Sequence, residues 1–511
     1  MGAVKATDTK AVANVDNSSV TDGDIMEGEI VDANHVFVSK VDVETGDLTS
    51  AVNSYVPDTK AENKLVRRVD FMVMPMLWIM CVMCYVDRNN IGNAAAAGMD
   101  ADLKLTDKNY SMLISIFFVG YIIWEIPSNL LISRLRPSLY LPGMMVAWGA
   151  MVAGMSQLKN YHSILICRFF LGIIECGFFP GVLYFLTCWY KKNEVGKRFC
   201  VFYTALCFSG AASGLIAGAV MTGLDGKHGM AGWRWLFLIE GVLTVGVTIF
   251  ALFVIPDYPH SSRRLSEEER TLAVVRIIVD QQETTARINS MMRRDRKLLS
   301  PWECVKATAA DLRTYFFIVL YMTQNGSGTV SYFIPTVLKH MGYSGTSEQW
   351  MTVPIWAIAT VFLLVFSYTA DRFEDRRWHV TAGLFLAFIG AIVNIAAKDY
   401  MKVRYVFLCF YISGLYMTLP LMLNWASEVM AMPPEKRAVV IAGINSIGCF
   451  SSIYGSYLWP SIDAPDYSMG FITVATFVGV GTLLAAFLPT IFRHLPRFPT
   501  KAEKDLGLET Y

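Results

Sequence analysis

Twelve apolar stretches, each near the ~20 residues that cross a bilayer as a helix, constrain this chain more than any other feature of its sequence. They run at about 70–92, 109–133, 138–157, 162–189, 199–223, 233–255, 314–339, 349–369, 379–397, 404–426, 437–459 and 468–492. In hydrocarbon every backbone amide must find its partner inside the segment, which a helix achieves. The pattern excludes a soluble domain and predicts an all-α integral membrane protein with twelve transmembrane helices. Composition agrees, because charged residues make up 17% of the chain against ~25% in soluble domains. A formal net charge of +1 supplies no field for holding nucleic acid. Nine of the ten cysteines (Cys81, Cys84, Cys167, Cys176, Cys188, Cys200, Cys207, Cys409, Cys449) lie inside apolar runs, and only Cys304 stands in polar sequence. None has metal-ligand spacing with histidine, so buried free thiols are expected rather than a disulfide framework or a metal site.

A polar stretch divides the spans six and six. The expected organisation is an N-terminal six-helix bundle at 65–256, a linker at 257–312 and a C-terminal six-helix bundle at 313–495. Pro256-Asp257-Tyr258-Pro259 opens the linker, and Ser266 with Glu269 forms a capping box for an amphipathic helix. Residues 1–64 are acidic and rich in Ser and Thr, which predicts a disordered tail; 496–511 form a second, short tail. The start shows no basic region followed by an apolar one, so no cleaved signal peptide is expected. Ala6 stands where myristoylation wants Ser or Thr, so no lipid anchor is expected either. With the N-terminus inside, the inner flanks hold about thirty Lys and Arg and the outer flanks about nine, which places both ends in the cytoplasm.

Charges inside spans mark pathways, because each costs about 2.5–3.5 kcal/mol at the bilayer centre. Four stand out in the N-terminal half: Asp87 and Arg88 in the first span, Arg168 and Glu175 in the fourth. Tyr85 and Arg88 are three apart and share a helix face, whereas Asp87 lies about 100° round from Arg88. An Arg fork matches a carboxylate with two hydrogen bonds, so Arg88 is a candidate grip for an anion. The plainer alternative is that Asp87 and Arg88 pair with neighbouring helices and only hold packing. Arg168 and Glu175 are seven apart and stack on one face, with Gly172 between them allowing close helix approach. A buried Glu beside an Arg can change protonation when an anion takes over that Arg; a static ion pair is the alternative.

In the second span Tyr121 is a candidate donor to substrate, while Glu125, before Pro127 and Asn129, reads better as a structural group. Asn325, Asn424 and Asn445 in the seventh, tenth and eleventh spans suit either substrate contact or interhelical bonding, as do Gln324 and Tyr332. His162 reads as interfacial.

Together these motifs resemble the anion:cation symporter family of the major facilitator superfamily, in particular its fungal allantoate, nicotinate and pantothenate permease branch. The likeness covers about residues 65–495. It rests on Tyr85-Val86-Asp87-Arg88, Gly120-Tyr121 with Glu125-Ile126-Pro127-Ser128-Asn129, and Arg168, Gly172 and Glu175. Gly232-Trp233-Arg234-Trp235-Leu236-Phe237 with Glu240-Gly241, and Ala464-Pro465-Asp466-Tyr467 before Gly470, add to it. The superfamily's inner-loop signature is degenerate after the second span (Arg134, Arg136). It is clearer after the eighth, in Asp371-Arg372 with Arg376-Arg377, where charges latch helix ends in one gating state.

The resemblance implies two pseudo-symmetric halves with substrate at the midplane between them, uptake of an organic anion with protons, and no cofactor. Bacterial sugar-acid members hold substrate with the first-span Tyr and Arg and the second-span Tyr, and carry protons on the first-span Asp and fourth-span Glu. This implies Tyr85, Arg88 and Tyr121 for substrate, with Asn424 as a further contact. It implies Asp87 and Glu175, with Arg168, for proton coupling, and Asp371 and Arg372 for gating. One departure stands out. The fifth span, from Ala205 to Val220, offers only Ser209 and Ser213 where sugar-acid members place a glutamine. That favours a smaller or more apolar anion, such as an aromatic monocarboxylate.

The expectation is therefore a proton-coupled importer of a small carboxylate, acting as a monomer in the plasma membrane. An organellar or efflux carrier for the same anions is the nearest alternative. A non-transporting nutrient sensor would be expected to have lost some of the buried charges or to carry a large cytoplasmic domain. An enzyme is disfavoured, since no nucleophile–base pair, phosphate loop or metal cluster is visible.

Overall fold

The computed structural model describes residues 51–52, 54–291, 301–343, 346–373, 375–430 and 434–496. Most of the expected N-terminal tail, nearly all of 496–511 and part of the linker lie outside them. The described residues form helices and connecting turns. In chain order the main helices are α1 (Lys60–Ala94), α2 (Asp107–Arg134), α3 (Pro137–Met155), α4 (Tyr161–Trp189), α5 (Lys192–Leu224) and α6 (Gly232–Val254), then α7 (Leu312–Gly328), α8 (Thr352–Phe373), α9 (Arg376–Ala396), α10 (Met401–Val429), α11 (Pro434–Gly455) and α12 (Ser468–His494). Among the described residues nine of these are long and apolar enough to cross a membrane. The other three are α2, α7 and α11.

The helix ends follow local chemistry. The first helix starts ten residues before its apolar run, because Thr59 caps it by accepting from the Glu62 amide at 3.2 Å. The seventh span, expected to be continuous, is broken: α7 gives way to a tight turn at Thr329–Tyr332 and resumes at Ile334–His340. Pro335 at the start of the second piece has no amide to donate, and Gly326 and Gly328 weaken the end of the first. The fourth span bends at Cys176-Gly177. There a Cβ on Gly177 would collide with the Ser128 side chain of α2.

Odd-numbered helices leave the face where α1 begins and α12 ends, here the terminal face, and even-numbered helices return to it. Ion pairs fasten elements together on that face. Lys191 and Arg276 both pair with Glu62, at 2.6 and 3.1 Å, and Arg276 also pairs with Glu194 at 2.5 Å. Arg276 belongs to the linker helix Glu267–Met291, whose start is capped reciprocally by Ser266 and Glu269. A second linker helix, Pro301–Ala310, packs on α7 and α11. Before α7, burial opposes charge on Asp311, but Arg313 at 2.6 Å and Lys436 at 2.9 Å hold its carboxyl down at about 2.

The two halves meet closely at the opposite, distal face. A Cβ on Gly92 of α1 would lie 2.4 Å from the Tyr332 carbonyl oxygen, so only glycine allows this crossing. Tyr110 donates to that same oxygen at 2.9 Å. Ser111 donates to the Ser456 carbonyl at 2.8 Å and Ser115 to the Ile453 carbonyl at 3.0 Å, joining α2 to α11. Between α5 and α8, Gly210, Gly214 and Gly218 face Trp356, Thr352 and Trp350 with no room for a methyl group at the first two. The distal face is closed by backbone-close packing.

Candidate functional site

Below this closure, between the halves, lies a cavity enclosing about 830 Å³ of empty space, its mouth included. Its wall carries six tyrosines: Tyr85, Tyr121 and Tyr203 from the N-terminal half, and Tyr321, Tyr332 and Tyr416 from the C-terminal half. Gln324, Asn325 and Asn445 add amides, and Phe118, Phe179, Leu206, Leu419 and Leu423 add apolar surface. Among the described residues Arg88 is the one charged side chain on the wall. A pocket of this make-up suits a small molecule with an aromatic or apolar body and one anionic group.

Arg88 is held from two sides. Its guanidinium lies over the rings of Tyr85, Phe117 and Tyr121 at 4.7, 5.2 and 5.4 Å, contacts that favour a cation. Its Nε and Nη2 both donate to Glu175 Oε1, at 2.9 and 2.5 Å. The Cys84 thiol donates to the same oxygen at 3.2 Å, leaving Glu175 Oε2 buried without a partner. The sequence placed Glu175 on one face with Arg168. The structure instead pairs it with Arg88, a contact between helices that helical spacing cannot report. Gly172 makes it possible: a Cβ there would strike the Phe117 backbone at 2.1 Å, so α4 lies directly on α2.

Asp87, next in sequence to Arg88, points away from the cavity. Its Oδ2 accepts from Trp148 Nε1 of α3 at 3.1 Å and from Thr244 Oγ1 of α6 at 2.9 Å. Arg168 is 2% exposed, and its Nε and Nη2 have no hydrogen-bond partner. Glu125 accepts from Asn445 at 3.1 Å and Ser446 at 2.8 Å, and Asn445 in turn accepts from Tyr321 at 3.1 Å. These bonds tie α2 to α11 across the halves at the level of the cavity.

Of the sequence-derived substrate residues, Tyr85, Arg88 and Tyr121 line the cavity. Asn424 does not. The α10 face turned to the cavity carries Tyr416, Leu419 and Leu423, and Asn424 falls about 100° round from Leu423. Asp371 pairs with Arg376 at 2.5 Å, and Arg376 reaches Glu428 at 3.1 Å, so this cluster joins α8, α9 and α10 within one half. Arg372 is exposed beside it. Sequence reasoning passed over Tyr203, Tyr321 and Tyr416. In an apolar run a tyrosine looks like bulk, and its hydroxyl is the one signal that it faces a cavity.

A multi-pass helical protein whose two halves enclose a central cavity is built to carry a solute across a membrane. The family model of the major facilitator superfamily matches residues 77–456, and the chain belongs to that superfamily. It is 32% identical over 432 residues to the "MFS transporter prlL" of a fungal species (strain NRRL 50135), covering 83% of this chain and 85% of that protein. It is 27% identical to a "putative tartrate transporter" of Agrobacterium vitis, covering 84% and 92%. Among solved structures it resembles a bacterial homologue of the human lysosomal transporter Spinster, in an inward-facing and unoccupied conformation. There the TM-score is 0.63 at 13% identity, covering 82% and 97% of the two chains. Family and relatives make this chain a membrane transporter, not an enzyme.

Proposed function

We propose that this transporter imports a small organic anion, a carboxylate, together with protons, by alternating access across the plasma membrane, with both termini cytoplasmic. The carrying observation is Arg88: among the described residues the single charge on the cavity wall, neutralised by Glu175 and set among three aromatic rings. An arriving carboxylate competes for the Arg88 fork, and Glu175, losing its counter-ion in a buried site, then takes a proton. Substrate and proton thereby bind as a neutral set. Tyr85 and Tyr121 would orient the anion from one half, and the tyrosines and amides of the other half would receive its body. Asp87, Arg168 and Glu175 would carry the coupling, and Asp371 with Arg372 would respond to the gating motion at the terminal face. The relative named a "putative tartrate transporter" supports the anion class by likeness, and the excess of Lys and Arg in one set of flanks supports the orientation.

The test is uptake of a panel of labelled carboxylates by cells expressing the protein, followed by Arg88→Lys. Lysine keeps the charge and loses the fork. Losing one charge-assisted hydrogen bond, worth about 1.5–3 kcal/mol, should weaken apparent affinity about tenfold or more. Unchanged transport by Arg88→Lys would move the substrate grip elsewhere.

A further inference from the structure

Behind the cavity wall, between α1, α3, α4 and α6, lies a second group of buried ionisable side chains that the substrate site does not use. Glu240 of α6 is 1% exposed, and neither of its carboxyl oxygens has a hydrogen-bond partner. One turn further along the same helix, Thr244 donates to Asp87, and residues four apart on a helix are neighbours. Asp87 keeps one buried oxygen, Oδ1, without a partner. Arg168 brings two unpartnered nitrogens, and Asp87 and Arg168 are the charged groups within electrostatic reach of Glu240. Asn90, one turn along α1 from Asp87, is fully buried with both side-chain polar atoms unbonded.

Charge counting decides what this group does. Arg88 and Glu175 neutralise each other. Behind them one cation, Arg168, faces two carboxyls, Asp87 and Glu240, with Glu175 also within electrostatic reach of Arg168 and Asp87. Two carboxylates against one guanidinium would leave a net buried negative charge, which costs several kcal/mol in an apolar interior. One proton on either carboxyl removes it.

We propose that Asp87 and Glu240 together hold one proton beside Arg168, a second proton site of the carrier behind the substrate-facing Arg88–Glu175 pair. The donors explain the asymmetry within the pair. Trp148 and Thr244 both donate to Asp87 and favour its ionised form, so the resting proton sits on Glu240. Its part in coupling rests on the proton-driven import proposed above, but its existence does not.

Infrared pH-difference spectra of the full-length protein in liposomes test this without substrate. The wild type should show a protonated-carboxyl band that is lost as pH rises. Either single neutralisation, Glu240→Gln or Asp87→Asn, leaves one carboxylate facing one Arg168, so the component of the band due to this pair should vanish in both, while signals from other buried carboxyls such as Glu125 and Glu348 remain. A component that is missing from Glu240→Gln, survives Asp87→Asn and ignores pH would show Glu240 as a permanently neutral packing group and overturn the proposal. Should the variants fold poorly, dicyclohexylcarbodiimide, which modifies protonated carboxyls in apolar surroundings, decides on the wild type. Labelling of the Asp87 or Glu240 peptide that declines with rising pH supports the pair, and no labelling of either at any pH overturns it. Failure of the Arg88→Lys transport test would leave both readouts unaffected, so the two readings fail separately.

Discussion

Replacing Gly92 by alanine should open the distal face by pushing back the Tyr332 backbone at the top of the cavity wall. The new Cβ would lie 2.4 Å from the Tyr332 carbonyl oxygen and 3.1 Å from its carbon, where ordinary contact begins at 3.4 Å. Both partners are backbone, so no side chain can swing away, and α1 must part from the broken α7 by about 1 Å. That oxygen also accepts from Tyr110, and its displacement strains the tie to α2. Overpacking of this kind costs about 1–3 kcal/mol. The cost falls on the distally closed state, because the contact joins the two halves. The equilibrium should then shift toward distal opening by about 5- to 150-fold. Cys449 on the cavity wall supplies the readout. A membrane-impermeant maleimide applied from the distal side should label the Cys449 peptide faster in Gly92→Ala than in the parent, at matched protein content. Gly172→Ala is the control: its clash at 2.1 Å lies between α2 and α4 of one half. It should lower stability and leave labelling unchanged. Equal labelling in Gly92→Ala and the parent, or faster labelling in both variants, would refute the assignment of this crossing as a gate.

Three further outcomes follow from the same geometry. Glu175→Gln mimics the protonated form, so uptake driven by an inward pH gradient should disappear while counterflow at equal pH persists; parallel loss of both in vesicles of matched content would mark Glu175 as a packing group. Arg234 bonds the Ser156 and Leu158 carbonyls at 2.8 and 3.0 Å and stacks on Trp233, so Arg234→Lys should lower the amount of protein at the surface and leave substrate affinity unchanged, as immunoblots and uptake curves together report. Asp311, held down at about 2 against ~4 in an unfolded chain, stabilises the fold by about 2 kcal/mol above pH ~4, and this contribution is lost as pH falls through about 2; the thermal-stability gap between the detergent-solubilised parent and Asp311→Asn should be full at neutral pH and close over that acid window.

Helix placement was readable because the bilayer imposes one length and one backbone solution, and the buried charges were readable because each is costly in that solvent. Tyr85, Arg88 and Tyr121 came with them, since a charge with an aromatic three residues away defines a face. Pairing was not readable. Spacing along α4 suggested Arg168 for Glu175, but an ion pair between helices depends on how closely they cross, and Gly172 sets that distance by the absence of a side chain. Asn424 misled for the opposite reason: a polar residue in a span attracts a functional reading, but the phase of α10 turns Leu419 and Leu423 to the cavity. Glu240 was quoted within a motif and given no role. Its burial without partners is a property of three neighbouring helices.

The linker helices carry a mechanical consequence. Glu267–Met291 is fastened to the first half by the Arg276 bonds to Glu62 and Glu194, and Pro301–Ala310 is seated on α7 and α11 of the second. Each half therefore has its own rigid handle on the terminal face, and the handles are consecutive in sequence. Under the alternating access proposed above, the gap between these handles should change as the halves move relative to each other. Paired labels on the two helices would work as a ruler for the transport cycle, reading every state from outside the permeation path.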